Sequence, residues 1–344
     1  MARGEDGVAR RHVLLRWGLP RDPRGSEHVL GFVLTTVATI VVTRGYLELT
    51  GFPQIGGETL HIAHVLWGGL FMAVAMVLVL SFAGPVIRPP VAFLGGIGFG
   101  LFIDEVGKFL TQDNDYFFQP APMIMYVTLV VLIIGADVLH GRRPPHPSEQ
   151  LAAAADHAVA GLAGGLSPHR RAVAEDLLHK GRGGQGEAEV EALLGVVPED
   201  HSEFPDPLEL VARKVRGLLA GVVRGSWTTA VAGGLLVLAL GGGAVVVLTA
   251  DDGTPAWAMR LAAGSSLAVV AVAVRAWALL GRDRYQAFQW LRRALLLQLL
   301  VTMVGLYRID PWPATAVMVV ALLALGVVAA EKIRLEQVGE GAVH

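Results

Sequence analysis

Long apolar runs separated by short polar turns dominate the pattern of this chain. A helix crosses a hydrocarbon core of about 30 Å with about 20 mostly apolar residues. Eight runs reach that length, roughly 28–48, 60–82, 91–110, 121–140, 226–250, 256–280, 290–308 and 312–331. Gly225 to Ala250 carries no charge, whereas the third run holds Asp104, Glu105 and Lys108. The pattern predicts an all-α fold, a polytopic integral membrane bundle of about eight transmembrane helices.

Arginine and lysine in the short turns set the expected threading, because basic residues stay on the cytoplasmic side. Arg3, Arg10, Arg11, Arg16, Arg21 and Arg24 precede the first run; Arg88 follows the second, Arg282 and Arg284 the sixth, and Lys332 and Arg334 the last. The opposite turns hold Arg44, Glu48, Glu58, Asp113, Asp115, Asp251, Asp252, Arg308 and Asp310, and so carry fewer basic residues. Both termini are therefore expected in the cytoplasm. The first run is too long for a signal-peptide core and reads as a retained span.

One polar stretch interrupts the series, about 141–225, with ten Lys/Arg and twelve Asp/Glu. Ser148 is expected to cap a helix running to about Leu166. Ser167-Pro168 opens a second, which Gly181 ends. Asp206-Pro207 repeats the start signal, and Leu208, Val211, Val215, Leu218 and Val222 share one face, predicting an amphipathic helix on the inner membrane surface. The expected organisation is a cytoplasmic segment 1–27, a first four-helix half 28–140, a cytoplasmic helical insert 141–225, a second four-helix half 226–331 and a tail 332–344.

Composition supports this picture. Of 344 residues 53% are hydrophobic and 17% charged, against about 25% charged in soluble domains. The absence of cysteine excludes disulfides, iron–sulfur clusters and thiolate zinc sites. A formal net charge of −2 gives no reason to expect a nucleic-acid partner. The partners expected are the bilayer and a lipid or small-molecule substrate, in a bacterial plasma membrane.

Polar groups inside membrane segments are expensive and mark candidate chemistry. His61 and His64 stand three apart, so one helix face presents both imidazoles. Gly96, Gly100, Asp104 and Lys108 repeat every four residues. The glycines let a neighbouring helix approach, and the spacing offers Lys108 to Asp104 while leaving Glu105 without a partner. Because the second and third runs are joined by a short turn, the imidazoles and carboxylates are expected at similar depth near the outer surface. Two imidazoles with one or two carboxylates suit a divalent ion of zinc or iron type, or a proton relay. In the metal reading His61, His64 and Asp104 bind the ion, Glu105 is the general base and Lys108 orients Asp104 or steadies negative charge. Asp113 and Asp115 in the following outer loop, and Arg308 in the last outer turn, are candidate substrate contacts. Arg308 with Asp310 also reads as a rigid turn. Arg275 reads as a snorkelling anchor, and Gln298 as an interhelical hydrogen bond. No phosphate-binding loop, Gly-x-Ser-x-Gly or His-Glu-x-x-His motif occurs.

The combination His-x-x-His-x-x-Trp-Gly at 61–68 and Gly-x-Gly-x-Phe-Ile-Asp-Glu-x-Gly-Lys at 98–108 resembles a group of bacterial multi-spanning membrane proteins, which brings no activity with it. More loosely, the chain is similar to seven-span membrane hydrolases of the alkaline ceramidase and adiponectin-receptor type. Those enzymes hold zinc with three histidines and an aspartate; this chain lacks their later paired histidines, since its last four runs contain none. The expected functions are a metal-dependent, hydrolase-like membrane enzyme acting at the outer leaflet, a proton- or cation-coupled transporter, or a scaffold that recruits a partner through 141–225.

Overall fold

The computed structural model describes residues 15, 17–50, 64–111, 118–140, 145–200, 214 and 228–341. Among these residues the regular structure is helical, apart from one isolated bridge between Leu166 and Glu199. In chain order the helices are α1 (Gly25–Thr50), α2 (His64–Ser81), α3 (Arg88–Asp104, entered through a 3-10 turn Pro85–Ile87), α4 (Val106–Leu110) and α5 (Ala121–His140). Then come α6 (Pro147–Gly164), α7 (Pro168–Lys180), α8 (Glu187–Val196), α9 (Thr228–Leu248), α10 (Ala256–Leu279), α11 (Arg284–Leu297), α12 (Met303–Ile309) and α13 (Pro311–Gly341). A π-helical segment, Gln298–Thr302, joins α11 to α12 without a break.

Eight of these stretches are long and apolar enough to cross a membrane, and they coincide with the eight runs read from the sequence. The chain is an all-α, multi-pass integral membrane protein. Side chains such as Leu66, Val77 and Leu80 on α2, or Val237 and Leu238 on α9, lie exposed. Exposure to water would cost about 25 cal/mol per Å² of apolar surface, a cost absent in hydrocarbon.

The chain divides into two compact units, 1–103 with 131–208, and 104–130 with 209–344. In the first unit α3 is the helix on which α1 and α2 pack. A Cβ at Gly96 would stand 2.6 Å from the carbonyl oxygen of Phe32, and one at Gly98 would stand 2.7 Å from that of Gly68. Only glycine permits either approach. Thr36 Oγ1 donates to the Gly96 carbonyl at 3.2 Å across the α1 contact. The glycine stripe thus brings in a neighbour as expected, and the second and third spans are adjacent.

Within its described residues, 145–200, the insert folds as a cap of three helices around a small core of Ala158, Leu166, Ala174, Leu194 and Val197. The cap of α6 differs from expectation. His146, not Ser148, closes it: His146 Nδ1 accepts from Ser148 N at 3.2 Å and Glu149 Oε2 accepts from His146 N at 2.8 Å. Pro147 occupies the first helical position, where its missing N–H costs nothing. Ser167 Oγ caps α7 by accepting from Arg170 N, and Gly181 follows its last turn, both as predicted. Arg171 donates to the carbonyls of Leu194 and Val197, at 3.3 and 2.7 Å, tying α7 to the end of α8. The amphipathic helix expected after Asp206 lies outside the described residues.

Ion pairs hold the cap to the membrane helices of this unit. Arg21 grips Glu149 through two parallel bonds of 2.9 Å. Arg88, at the start of α3, donates to Asp22 at 2.8 Å and to Asp156 at 2.6 Å. Burial pushes the Glu149 carboxyl upward, but the Arg21 guanidinium and backbone N–H groups outweigh it and lower the pKa to about 2. His157, 6% exposed, is lowered to about 4 by burial and by the charges of Arg24 and Arg88.

In the second unit α9 packs along α13, and α10 lies against α11 and α12. The seventh span starts at Arg284, earlier than the apolar run alone predicts, because Asp283 Oδ1 accepts from Gln286 N at 2.9 Å and caps the helix. Arg275 and Arg293 both lie over the Trp290 ring, at 5.0 and 4.5 Å from its centroid. Arg275 is therefore anchored by an aromatic face as well as by reach.

A candidate carboxylate site at a helix interruption

The third span does not run on to residue 110 as its apolar run suggests. Helix α3 ends at Asp104, Glu105 adopts φ −89° and ψ 10°, and α4 restarts at Val106 for a single short helix. Both carboxylates at the interruption are buried, Asp104 fully and Glu105 to 1% exposure. Lys108 stands with Nζ 3.1 Å from Glu105 Oε1, and its backbone N–H donates to the Glu105 carbonyl at 3.0 Å. The spacing offered Lys108 to Asp104; the structure places its ammonium against Glu105, three residues before it, a separation at which helical side chains also meet.

An interrupted membrane helix is uncommon for a physical reason. Backbone groups released from the helical ladder need partners where no water is at hand. Such breaks are tolerated where they are buried in protein or line a water-filled cavity, and in transporters the carbonyls of unwound segments and half-helix ends coordinate cations. Two buried acids therefore stand next to each other at the end of α3, one of them with an ammonium at 3.1 Å.

The remaining expected site residues are distributed as follows. His64 is the first residue of α2 and is half-buried. His61, Asp113 and Asp115 lie outside the described residues. Arg308, in the last turn of α12, donates to Gln119 Oε1 at 3.3 Å. Asp310, read as its partner, instead accepts from Trp312 N at 3.2 Å and so fixes the turn into α13. Among the described residues no three His, Asp or Glu side chains form a group able to hold a metal ion.

Three features were missed by the sequence reading. Gln298 is fully buried at the head of the π segment, yet among the described residues neither amide atom has a hydrogen-bond partner, contrary to the interhelical bond expected of it. Its neighbours are polar and satisfied: Thr302 Oγ1 donates to Ser265 Oγ at 2.9 Å, and Tyr126 OH donates to the Leu299 carbonyl. Tyr126 also stacks on Tyr307, with centroids 4.9 Å apart. Glu331, which the apolar pattern reads as the end of a span, is fully buried and lies 3.3 Å from Arg284. The docking pair Arg21–Glu149 spans 128 positions, beyond any local signal. The glutamine had a local signal, an amide in the middle of an apolar run, and only its satisfaction was misjudged.

Searches of family models, curated proteins and solved structures give no match to this chain.

Proposed function

We propose that this chain is a multi-pass protein of a bacterial plasma membrane that couples proton or cation movement to transport, with Asp104, Glu105 and Lys108 as the coupling site near the outer surface. The observation that carries this reading is the interruption of the third span at Glu105, with two buried carboxylates and the Lys108 ammonium at 3.1 Å. An ammonium against a carboxylate is a substitute cation: an incoming proton or metal ion displaces it, and its return expels the ion. That exchange is what a coupling site requires, whereas a resident divalent metal would share Glu105 with a like charge. Asp104 supplies the second acceptor, so the site can hold an ion while Lys108 is away.

Proteoliposomes with an acidic interior and a trapped pH dye test this. Addition of a monovalent or divalent cation outside is expected to collapse the gradient in wild type, and Glu105→Gln is expected to abolish the response. A gradient untouched by every cation, in protein that carries stoichiometric zinc lost in the His61→Ala/His64→Ala pair, would instead establish the metal-dependent hydrolase.

A further inference from the structure

A cavity of about 320 Å³ opens among α9, α10 and α11 in the second unit. Its walls include Gly233, Val237, Ala273, Val274, Trp277 and Phe288. Several of them are open to the surroundings: Val237 is 68% exposed, Val274 63% and Trp277 64%. The volume is at the lower end of ligand sites, about 300–1,000 Å³. Its lining is almost wholly apolar, and a cavity of that character does not retain water.

One end is different. Thr229, a lining residue, accepts a hydrogen bond from Arg284 Nη2 at 3.3 Å. The same nitrogen lies 3.3 Å from the buried Glu331, and the Arg284 side chain remains 44% exposed. Arg282 and Arg284 at the start of α11, and Arg292 and Arg293 beside the lining residue Leu291 further along it, are exposed. Among the described residues the acids along this stretch are Asp283, which caps α11, and Glu331, which meets Arg284. Among the described residues, four arginines along 282–293 against Asp283 and Glu331 leave α11 net positive beside an apolar slot, on the side that the basic turns assign to the cytoplasmic leaflet.

We propose that this slot holds one acyl chain of an anionic phospholipid, whose headgroup phosphate binds Arg284. Basic pockets between spans on the cytoplasmic side recognise anionic headgroups, and the guanidinium fork matches a phosphate through paired donors. The occupant is a lipid and not a free anion because the cavity's walls are apolar and open sideways along exposed spans. This site is separate from the carboxylates at Glu105, and its test does not depend on them.

The full-length protein, purified in detergent, is mixed with phosphatidylglycerol, with phosphatidylcholine of the same chains, or with glycerol 3-phosphate, and retained molecules are counted by native mass spectrometry. Wild type is expected to keep one phosphatidylglycerol in preference to phosphatidylcholine. Arg284→Gln combined with Glu331→Gln removes both charges without leaving a buried one unpaired, and is expected to cut the preference about fivefold. Ala273→Phe fills the cavity, and Val237→Phe narrows it from its exposed wall without loading the core; each is expected to lower retention of both lipids. Equal retention of the two lipids by wild type, an unchanged preference in the double variant, or displacement of the lipid by glycerol 3-phosphate would each overturn the proposal.

Discussion

The turn at Glu105, where the third span ends, and the π segment at Gln298, inside the seventh, are two departures from α-helix, and each is centred on a buried polar side chain. They resolve the cost of burial differently. Glu105 has a counter-charge supplied three residues later, so the break carries its own neutralisation. Gln298 is uncharged, and its amide stays in the interior with no hydrogen-bond partner among the described residues. A bare carboxylate in a low-dielectric interior is prohibitive, whereas an unsatisfied amide costs about 1–3 kcal/mol. The difference separates what a fold requires at such positions from what it merely tolerates. Pairing is required for the charge, whereas a neutral amide is tolerated at that smaller cost.

Breaking the pair at Glu105 gives the largest expected effect. Lys108→Met leaves a carboxylate whose side chain is 2% exposed without the ammonium beside it. The expected loss is about 3 kcal/mol, read as a lower midpoint of thermal unfolding in detergent. Glu105→Gln with Lys108→Met removes both charges and should recover most of that loss. Equal destabilisation by the single and double variants would show that the ammonium is not what neutralises Glu105, and the contrast with Gln298 would disappear.

His157 turns one case into the other by titration, and so sharpens the comparison. At neutral pH it is a neutral ring, 6% exposed, with no hydrogen-bond partner for Nδ1 among the described residues, much like the glutamine. Its folded pKa is about 4 against an ordinary value of 6.5, since burial and the nearby Arg24 and Arg88 outweigh Asp156 and Asp22. Between those values the unfolded segment binds a proton that the folded one does not, so stability falls as pH drops from 6.5 to 4 and levels off below. The span corresponds to about 3 kcal/mol. Glu149 acts in a lower window: its contribution is complete above its ordinary value of 4.5 and is lost as pH falls towards 2. Hydrogen exchange of residues 147–196, corrected for intrinsic rate, should show the cap loosening between pH 6.5 and 4 and His157→Leu flattening that dependence. Unchanged protection across the interval in wild type would mean that His157 is not held neutral.

The eight spans were legible because a span is specified by one local property, a run of about 20 apolar residues. The glycine stripe on α3 was legible for a similar reason: four-residue spacing is a statement about one helix face. The end of α3 at Asp104 was not, since Gly96, Gly100, Asp104 and Lys108 continue that spacing smoothly through the break and no proline marks it. Lys108 stands three residues from Glu105 and four from Asp104, and helical spacing alone does not choose between them. His146 as a cap escaped notice because histidine is an unusual acceptor there, and Ser148 two residues on is a better-known one. Arg21–Glu149, Arg88–Asp156 and Arg284–Glu331 join distant parts of the chain, so charge alone does not say which acid each arginine takes. Of the candidate site, the carboxylates and lysine were legible as residues, and their arrangement was not.

Gln298 offers the smallest effect and the cleanest decision about the π segment. Leucine has nearly the volume of glutamine and no polar atoms, so Gln298→Leu removes an unsatisfied amide and opens no cavity. If the amide is only tolerated, the variant should be more stable by about 1 kcal/mol, a modest rise in the unfolding midpoint. The π turn itself should persist, because Tyr126 and the Thr302–Ser265 bond anchor it independently of the glutamine. A stabilised variant that also loses cation-driven collapse of the pH gradient would mark Gln298 as a group kept for function at the expense of stability. A destabilised variant would mean that the amide already has a partner, an internal water or a bound ion, and the π segment would then belong with Glu105 among the sites where burial is fully compensated.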